Sequence, residues 1–184
     1  MEWDHGSKAK EKSEKVLKLL NKLLCSGISN KEALKLLNNA FLINDDRECF
    51  ATLDGCIINL ETGNVEIMKL SGCPTYIKKE NKIEIIKSDN LPVGIVQEMD
   101  IEIHNKTLNS GDILVLCTDG AIEYNTEYAD KEMWLKELLK NIRTDSVQKI
   151  ADLIVSESID NGFGFAKDDI SVIVMKLVPI DRTS

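Results

Sequence analysis

Two acidic positions are marked by where they fall in the chain. Asp119 closes the run Ile113-Leu114-Val115-Leu116-Cys117-Thr118 and is followed by Gly120. Asp168 and Asp169 introduce the run Ile170-Ser171-Val172-Ile173-Val174-Met175. Both runs are of strand length and rich in branched apolar residues, which reads as buried strand. A carboxylate at the end of a buried strand is held firmly and still meets water, which suits a metal ligand or a catalytic acid. Plainer roles are open too. Asp119 could start a turn, and Asp168-Asp169 could be a loop pair that blocks edge pairing. If the two strands are antiparallel neighbours, the end of one meets the start of the other, and Asp119 comes beside Asp168 or Asp169. Carboxylates that close repel, so one takes a proton unless a cation sits between them. All-oxygen ligation suits Mg²⁺ or Mn²⁺ and leaves room for water. Two such ions would prepare a water for in-line attack on a phosphate.

The elements that must hold these acids follow from periodicity. An apolar stripe of Val16, Leu17, Leu19, Leu20, Leu23 and Leu24 predicts a helix from about Ser7 that stops at Ser26-Gly27. The lysines at 8, 10, 12, 15, 18 and 22 lie mostly off that stripe and read as a solvated face. Ser29-Asn30-Lys31-Glu32 is a capping box that opens a second helix over 30–43, with Leu34, Leu36, Leu37 and Phe41 on its apolar face. Strands follow at 49–60, 65–70, 75–78, 82–87 and 99–106, before the buried strand at 112–118. Turns at Glu61-Thr62-Gly63-Asn64, Ser71-Gly72-Cys73-Pro74 and Lys79-Glu80-Asn81 separate the first four. Asp54 reads as a strand-end or turn residue. Helical spacing returns at 131–142 and at 146–160, the second helix capped by Asp145 with Gln148 three residues on. Helices segregated from a run of antiparallel strands make the class α+β.

The totals exclude several functions. The chain has 184 residues, enough for one domain with a sizeable core. Its net charge is −8, which argues against a general nucleic-acid surface and requires a local cation for any anionic substrate. No apolar run approaches a membrane span, and the N-terminus is not signal-like. Five scattered cysteines form no CxxC pair, which fits reduced thiols in a cytoplasmic protein.

Several segments together carry a resemblance. Thr118-Asp119-Gly120 resembles the TDG or SDG motif of the metal-dependent type 2C protein phosphatases. Asp168-Asp169-Ile170-Ser171-Val172 resembles that family's closing motif, and Leu91-Pro92-Val93-Gly94-Ile95 a loop of its bacterial branch. Ala51-Thr52-Leu53-Asp54 and Gly6-Ser7-Lys8-Ala9 also match. The likeness is nearest to the phosphatase domain of the stage II sporulation protein E type and covers almost the whole chain. It implies a four-layer α-β-β-α sandwich of mainly antiparallel sheets. It also implies a two-metal Mn²⁺ or Mg²⁺ site with Asp119 and Asp168 as ligands. Asp169, which stands where many relatives have Asn, would support them, and Gly120 would supply the tight turn after the ligand. The implied reaction is hydrolysis of phosphoserine on a regulatory protein such as an anti-sigma factor antagonist, without a covalent enzyme intermediate.

One departure qualifies the expectation. The family's metal-bridging aspartate lies in a DG element just upstream of the segment matched by Gly6-Ser7-Lys8-Ala9, and Met1-Glu2-Trp3-Asp4-His5 does not reproduce it. Residues 1–184 are therefore expected to form a single, partial phosphatase-like domain lacking the first strands. Residues 1–6 are read as extraneous or residual-loop sequence. Weak metal binding and little activity follow, along with an exposed sheet edge through which copies could associate. An intact parent protein could be membrane-anchored through another region. The alternative is a catalytically dead, phosphatase-fold regulatory binding module.

Overall fold

A computed structural model describes residues 7–43, 50–123, 128, 130–161, 164–166 and 168–179. The reading of residues 1–6 lies outside these. The elements, in order, are helices α1 (Ser7–Leu24) and α2 (Asn30–Ile43), then strands β1 (Leu53–Ile58), β2 (Asn64–Leu70), β3 (Thr75–Lys78), β4 (Ile83–Ile86), β5 (Ile103–Thr107) and β6 (Ile113–Cys117). Helices α3 (Met133–Asn141) and α4 (Val147–Asn161) and strand β7 (Val172–Lys176) complete the chain. The strands form two sheets, ordered β1-β2-β5 and β4-β3-β6-β7. The class is α+β, as the sequence predicts.

The chain divides into two compact units, each assembled from several segments: 1–56, 66–72 and 88–104 in the first, and 57–65, 73–87 and 105–184 in the second. In the first unit, α1 and α2 pack on strand residues. Val16, Leu20, Ala33, Leu34, Leu37 and Phe41 form one core with Leu53, Met68, Leu70, Val93 and Ile101. The capping box forms as its spacing requires: Ser29 N–H and Oγ both donate to Glu32 Oε2, at 3.1 and 2.7 Å, and Glu32 N–H returns to Ser29 Oγ. Gly27 takes the positive φ of 82° that ends α1. Two apolar positions on the helical stripes, Leu17 and Leu36, are exposed instead of buried.

Asp54 stands near the start of β1, and its role goes beyond marking that end. Its Oδ1 accepts from Lys69 Nζ of β2 at 2.5 Å. Lys69 has no exposed side-chain surface. Gly72 makes room for this pair, because a Cβ there would fall 2.1 Å from Asp54 Oδ2. Lys69 shares a strand face with the buried Val65 and Ile67, and a carboxylate fifteen residues earlier allows a charged side chain there.

In the second unit, α3 and α4 cover the four-stranded sheet. Trp134, Leu135, Leu139, Ile150 and Ile154 share a core with Tyr76, Ile113 and Val115. Pairing is antiparallel throughout, β3 with β4, β3 with β6, and β6 with β7. Lys78 Nζ donates to the Leu139 and Ile142 carbonyls and so closes the C-terminal end of α3. The cap of α4 differs from expectation. Ser146 Oγ accepts Lys149 N–H, whereas Asp145 accepts from Lys176 of β7 at 2.7 Å, and the Gln148 amide turns to Asp152. The lysine on β7 is the stronger partner for Asp145, since it carries a full charge. No helix among the described residues is long and apolar enough to cross a membrane.

Candidate metal centre

β6 and β7 run antiparallel, with Cys117 opposite Val172. The end of one strand therefore meets the approach to the other, as the sequence requires if both acid motifs serve one site. Past Cys117 the pairing continues for one more step, because Thr118 N–H donates to Ser171 O at 3.0 Å. The Thr118 hydroxyl then joins the two motifs directly. It donates to the Asp169 carbonyl at 3.0 Å and accepts the Ser171 N–H at 2.9 Å. A valine here would have the same shape and make neither bond.

Asp119, Gly120 and Ala121 form a single 3-10 turn. Asp119 Oδ1 accepts Gly120 N–H at 2.9 Å, and Asp168 Oδ1 accepts Asp169 N–H at 2.7 Å. Each candidate ligand thus has one oxygen steadied by the amide that follows it. Among the described residues neither carboxylate pairs with a lysine, arginine or histidine. Two carboxylates on adjoining turns without a cationic side chain fit a hard divalent ion, whose other positions water would fill. The set is small for two ions. Among the described residues no group of three or more His, Cys, Asp or Glu side chains assembles.

Gly120 forms the floor of the site. A Cβ built there would lie 2.6 Å from the Asp169 carbonyl oxygen and 3.1 Å from its carbon. Glycine is required for this close approach of two backbones rather than for a positive φ. Asp169 participates through its main chain, receiving Thr118 and flooring Gly120, and its side chain is exposed.

Two residues that no motif flagged grip the turn from within. Ser158 of α4 is buried, and its Oγ lies 3.0 Å from the Ala121 carbonyl and 2.6 Å from that of Ile154. Trp134 Nε1 of α3 donates to Ile122 O at 3.3 Å. One signal for Ser158 was present in the sequence. It continues the stripe Ile150, Ile154 at a position where an apolar residue is expected.

Comparison with known proteins places the chain in a family. The profile described as Stage II sporulation protein E (SpoIIE) matches residues 3–178. The chain is 33% identical over 173 residues to stage II sporulation protein E of Bacillus subtilis, covering 94% of this chain but 21% of that protein. The chain thus spans about a fifth of that relative's length. It is 26% identical over 154 residues to the phosphoserine phosphatase RsbU of Bacillus subtilis, covering 82% of this chain and 46% of that one. A structure of the PP2C phosphatase domain with a regulatory-domain fragment of the Bacillus subtilis protein aligns with a TM-score of 0.85 at 33% identity, over 95% of this chain and 52% of that one. A manganese-presoaked structure of the same phosphatase domain aligns with a TM-score of 0.70 at 29% identity, over 96% and 77%. The fold is that of the PP2C-type phosphatases, and the chain belongs to the stage II sporulation protein E family.

Proposed function

We propose that this chain is a metal-dependent protein serine/threonine phosphatase domain, with phosphoserine on a regulatory protein as its substrate. The observation that carries the proposal is the Thr118 bridge, which joins the turn bearing Asp119 to the segment bearing Asp168. Family membership supports the same reading, as does the phosphatase activity named for both relatives. An anti-sigma factor antagonist fits as the substrate protein.

Asp119 and Asp168 are the proposed ligands, and Mn²⁺ or Mg²⁺ is the ion their oxygens suit. When bound, such an ion lowers the pKa of a coordinated water and offsets charge on the phosphate. The chain's own residues supply position. Thr118 fixes the spacing between the two acid turns, and Gly120 lets the backbones approach. Gly120 N–H and Asp169 N–H each steady one oxygen of these carboxylates. An ion held by these two carboxylates alone would bind weakly and give low turnover.

Phosphate release from a phosphoserine peptide, measured across a Mn²⁺ titration, tests the proposal. Slow, Mn²⁺-dependent release that disappears in Asp119→Asn is the expected result. Turnover independent of Mn²⁺, or unaffected by Asp119→Asn, would overturn it. A rate equal to that of a relative with a full two-metal site would contradict the weak-site reading.

One observation favours a second reading, a phosphatase-fold binding module without catalysis. Among the described residues no third ligand joins Asp119 and Asp168. Under that reading the peptide binds and is not hydrolysed. We place the domain in the cytoplasm. Association between copies would use an open sheet edge, as at β4 or β7, the two ends of their sheet order among the described residues, and sedimentation at rising concentration would detect it.

A further inference from the structure

We propose that Ser158 and Trp134 are positioning residues for Asp119, holding the metal-binding turn from the helical side. The proposal rests on the reading of Asp119 and Asp168 as ligands. Asp119 begins a turn of only three residues, and its carbonyl already accepts the N–H groups of Ile122 and Glu123. So short a turn has little stability of its own. The carbonyls of Ala121, its last residue, and of Ile122, just past it, are taken by side chains from two different helices. Ser158 Oγ reaches Ala121 O at 3.0 Å, and Trp134 Nε1 reaches Ile122 O at 3.3 Å.

Neither contact is incidental to packing. Ile150, Ile154 and Ser158 form one buried stripe on α4, 0%, 0% and 4% exposed. An apolar side chain at 158 would continue that stripe and leave the buried Ala121 carbonyl without this donor. Serine within a helix also bonds the carbonyl four residues back, as Ser158 does with Ile154, which offers the helix no gain. The hydroxyl has one proton, which it shares between the Ile154 carbonyl at 2.6 Å and the Ala121 carbonyl at 3.0 Å, so it ties the turn to α4. Trp134 combines the bulk that fills the core beneath the sheet with a donor aimed at the same turn. On the opposite side the Asp169 backbone closes against Gly120. Asp119 is thus fixed from both sides, and its carboxylate is held relative to Asp168 before any ion arrives.

Mn²⁺ binding to the 184-residue chain, followed by the electron paramagnetic resonance signal of free Mn²⁺, tests this alongside amide exchange of the metal-free protein. Ser158→Ala and Trp134→Phe should each raise the Mn²⁺ dissociation constant about three- to tenfold, as expected for loss of one buried hydrogen bond. Both should hasten exchange at the Ile122 and Glu123 amides. Ser158→Thr keeps the hydroxyl and should restore both properties. Ile150→Val lies about two turns away on the same stripe and weakens α4 without removing a hydrogen bond to the turn, so it should lower thermal stability and leave Mn²⁺ binding unchanged. If Ile150→Val weakens binding as much as Ser158→Ala, the role is merely structural and the proposal fails. It also fails if Asp119→Asn abolishes binding while Ser158→Ala and Trp134→Phe leave it intact. If Asp119→Asn itself has no effect, the ligand assignment is wrong and the proposal falls with it.

Discussion

Gly120→Ala is the smallest change that should damage the site without removing any polar group. The added methyl would sit 2.6 Å from the Asp169 carbonyl oxygen, 3.1 Å from the Asp169 carbon and 3.3 Å from that of Asp168. All three atoms are main chain, so no flexible side chain can swing aside. The shortest contact lies ~0.8 Å inside the ordinary limit of 3.4 Å. The residue has no positive φ, so the cost is steric alone. Overpacking of this kind costs about 1–3 kcal/mol. The same carbonyl oxygen receives the Thr118 hydroxyl. Moving it away strains that bond, adding about 1 kcal/mol if it is lost. Relief of the clash separates the Asp119 turn from the Asp168 segment, which is the spacing a shared cation needs. If the strain is borne by the metal complex, about 1–3 kcal/mol becomes roughly a 5- to 150-fold weaker binding constant. A Mn²⁺ titration read by electron paramagnetic resonance, paired with urea denaturation of the metal-free protein, measures both parts. A variant whose Mn²⁺ affinity and stability both match the wild type would refute the reasoning, since the close approach would then constrain nothing.

Thr118→Val should lose about 1 kcal/mol of stability and weaken Mn²⁺ binding, while Thr118→Ser, which keeps the bridging hydroxyl, should retain both; equal behaviour of the two variants in urea and Mn²⁺ titrations would remove the bridge from the account. Asp54→Ala takes the ion-pair partner from a fully buried lysine and should cost about 3 kcal/mol in denaturant unfolding, the low end of the range because Asp54 keeps some exposure. A loss below ~1 kcal/mol would mean that Lys69 is adequately served by its other contacts. Hydrogen bonds, first from the Ser29 hydroxyl and then from its amide, hold the Glu32 carboxyl below its ordinary value of 4.5, and hydrogen bonds from Lys82 and Lys106 do the same for Glu84. A lowered folded-state pKa stabilises the protein above the ordinary value, and that contribution disappears as pH falls through the folded one. The urea midpoint should therefore drop as the solution is acidified below 4.5, and Glu84→Gln should flatten the decline. An unchanged slope would exclude Glu84 from the acid transition.

Much of this arrangement is legible from residue types and their spacing. Ser29 and Glu32 define the start of α2 because a capping box is local, needing only a turn of backbone. The runs ending at Asp119 and beginning at Asp168 read as strands because each holds an apolar stretch of strand length, but only β6 is buried as read; β7, last in its sheet order, is half-buried and leaves Ile173 exposed. The positions that stayed hidden depend on partners distant in sequence. Lys69 shares a strand face with the buried Val65 and Ile67, and only the placement of Asp54 explains how a charged side chain is accepted there. Asp145 looks like a helix cap until Lys176 of β7 arrives beside it, 31 residues later, and Ser146 takes the cap instead. Leu17 and Leu36 belong to the apolar stripes yet remain exposed, because a stripe wider than the surface it meets leaves its margin in solvent. Ser158 is the instructive case at the site. Its position on an apolar stripe marks it as exceptional, but the carbonyl that it meets lies 37 residues earlier on a turn with no periodicity to reveal it.

The account depends on Asp119 and Asp168 holding one cation between them. Mn²⁺ binding to the unmodified chain and to Asp119→Asn and Asp168→Asn, read from the free-ion electron paramagnetic resonance signal, addresses that claim most directly. The account predicts weak saturable binding that either substitution alone abolishes, with thermal stability of the metal-free protein nearly unchanged. Binding that survives both substitutions would place the ion elsewhere and contradict the proposed metal centre.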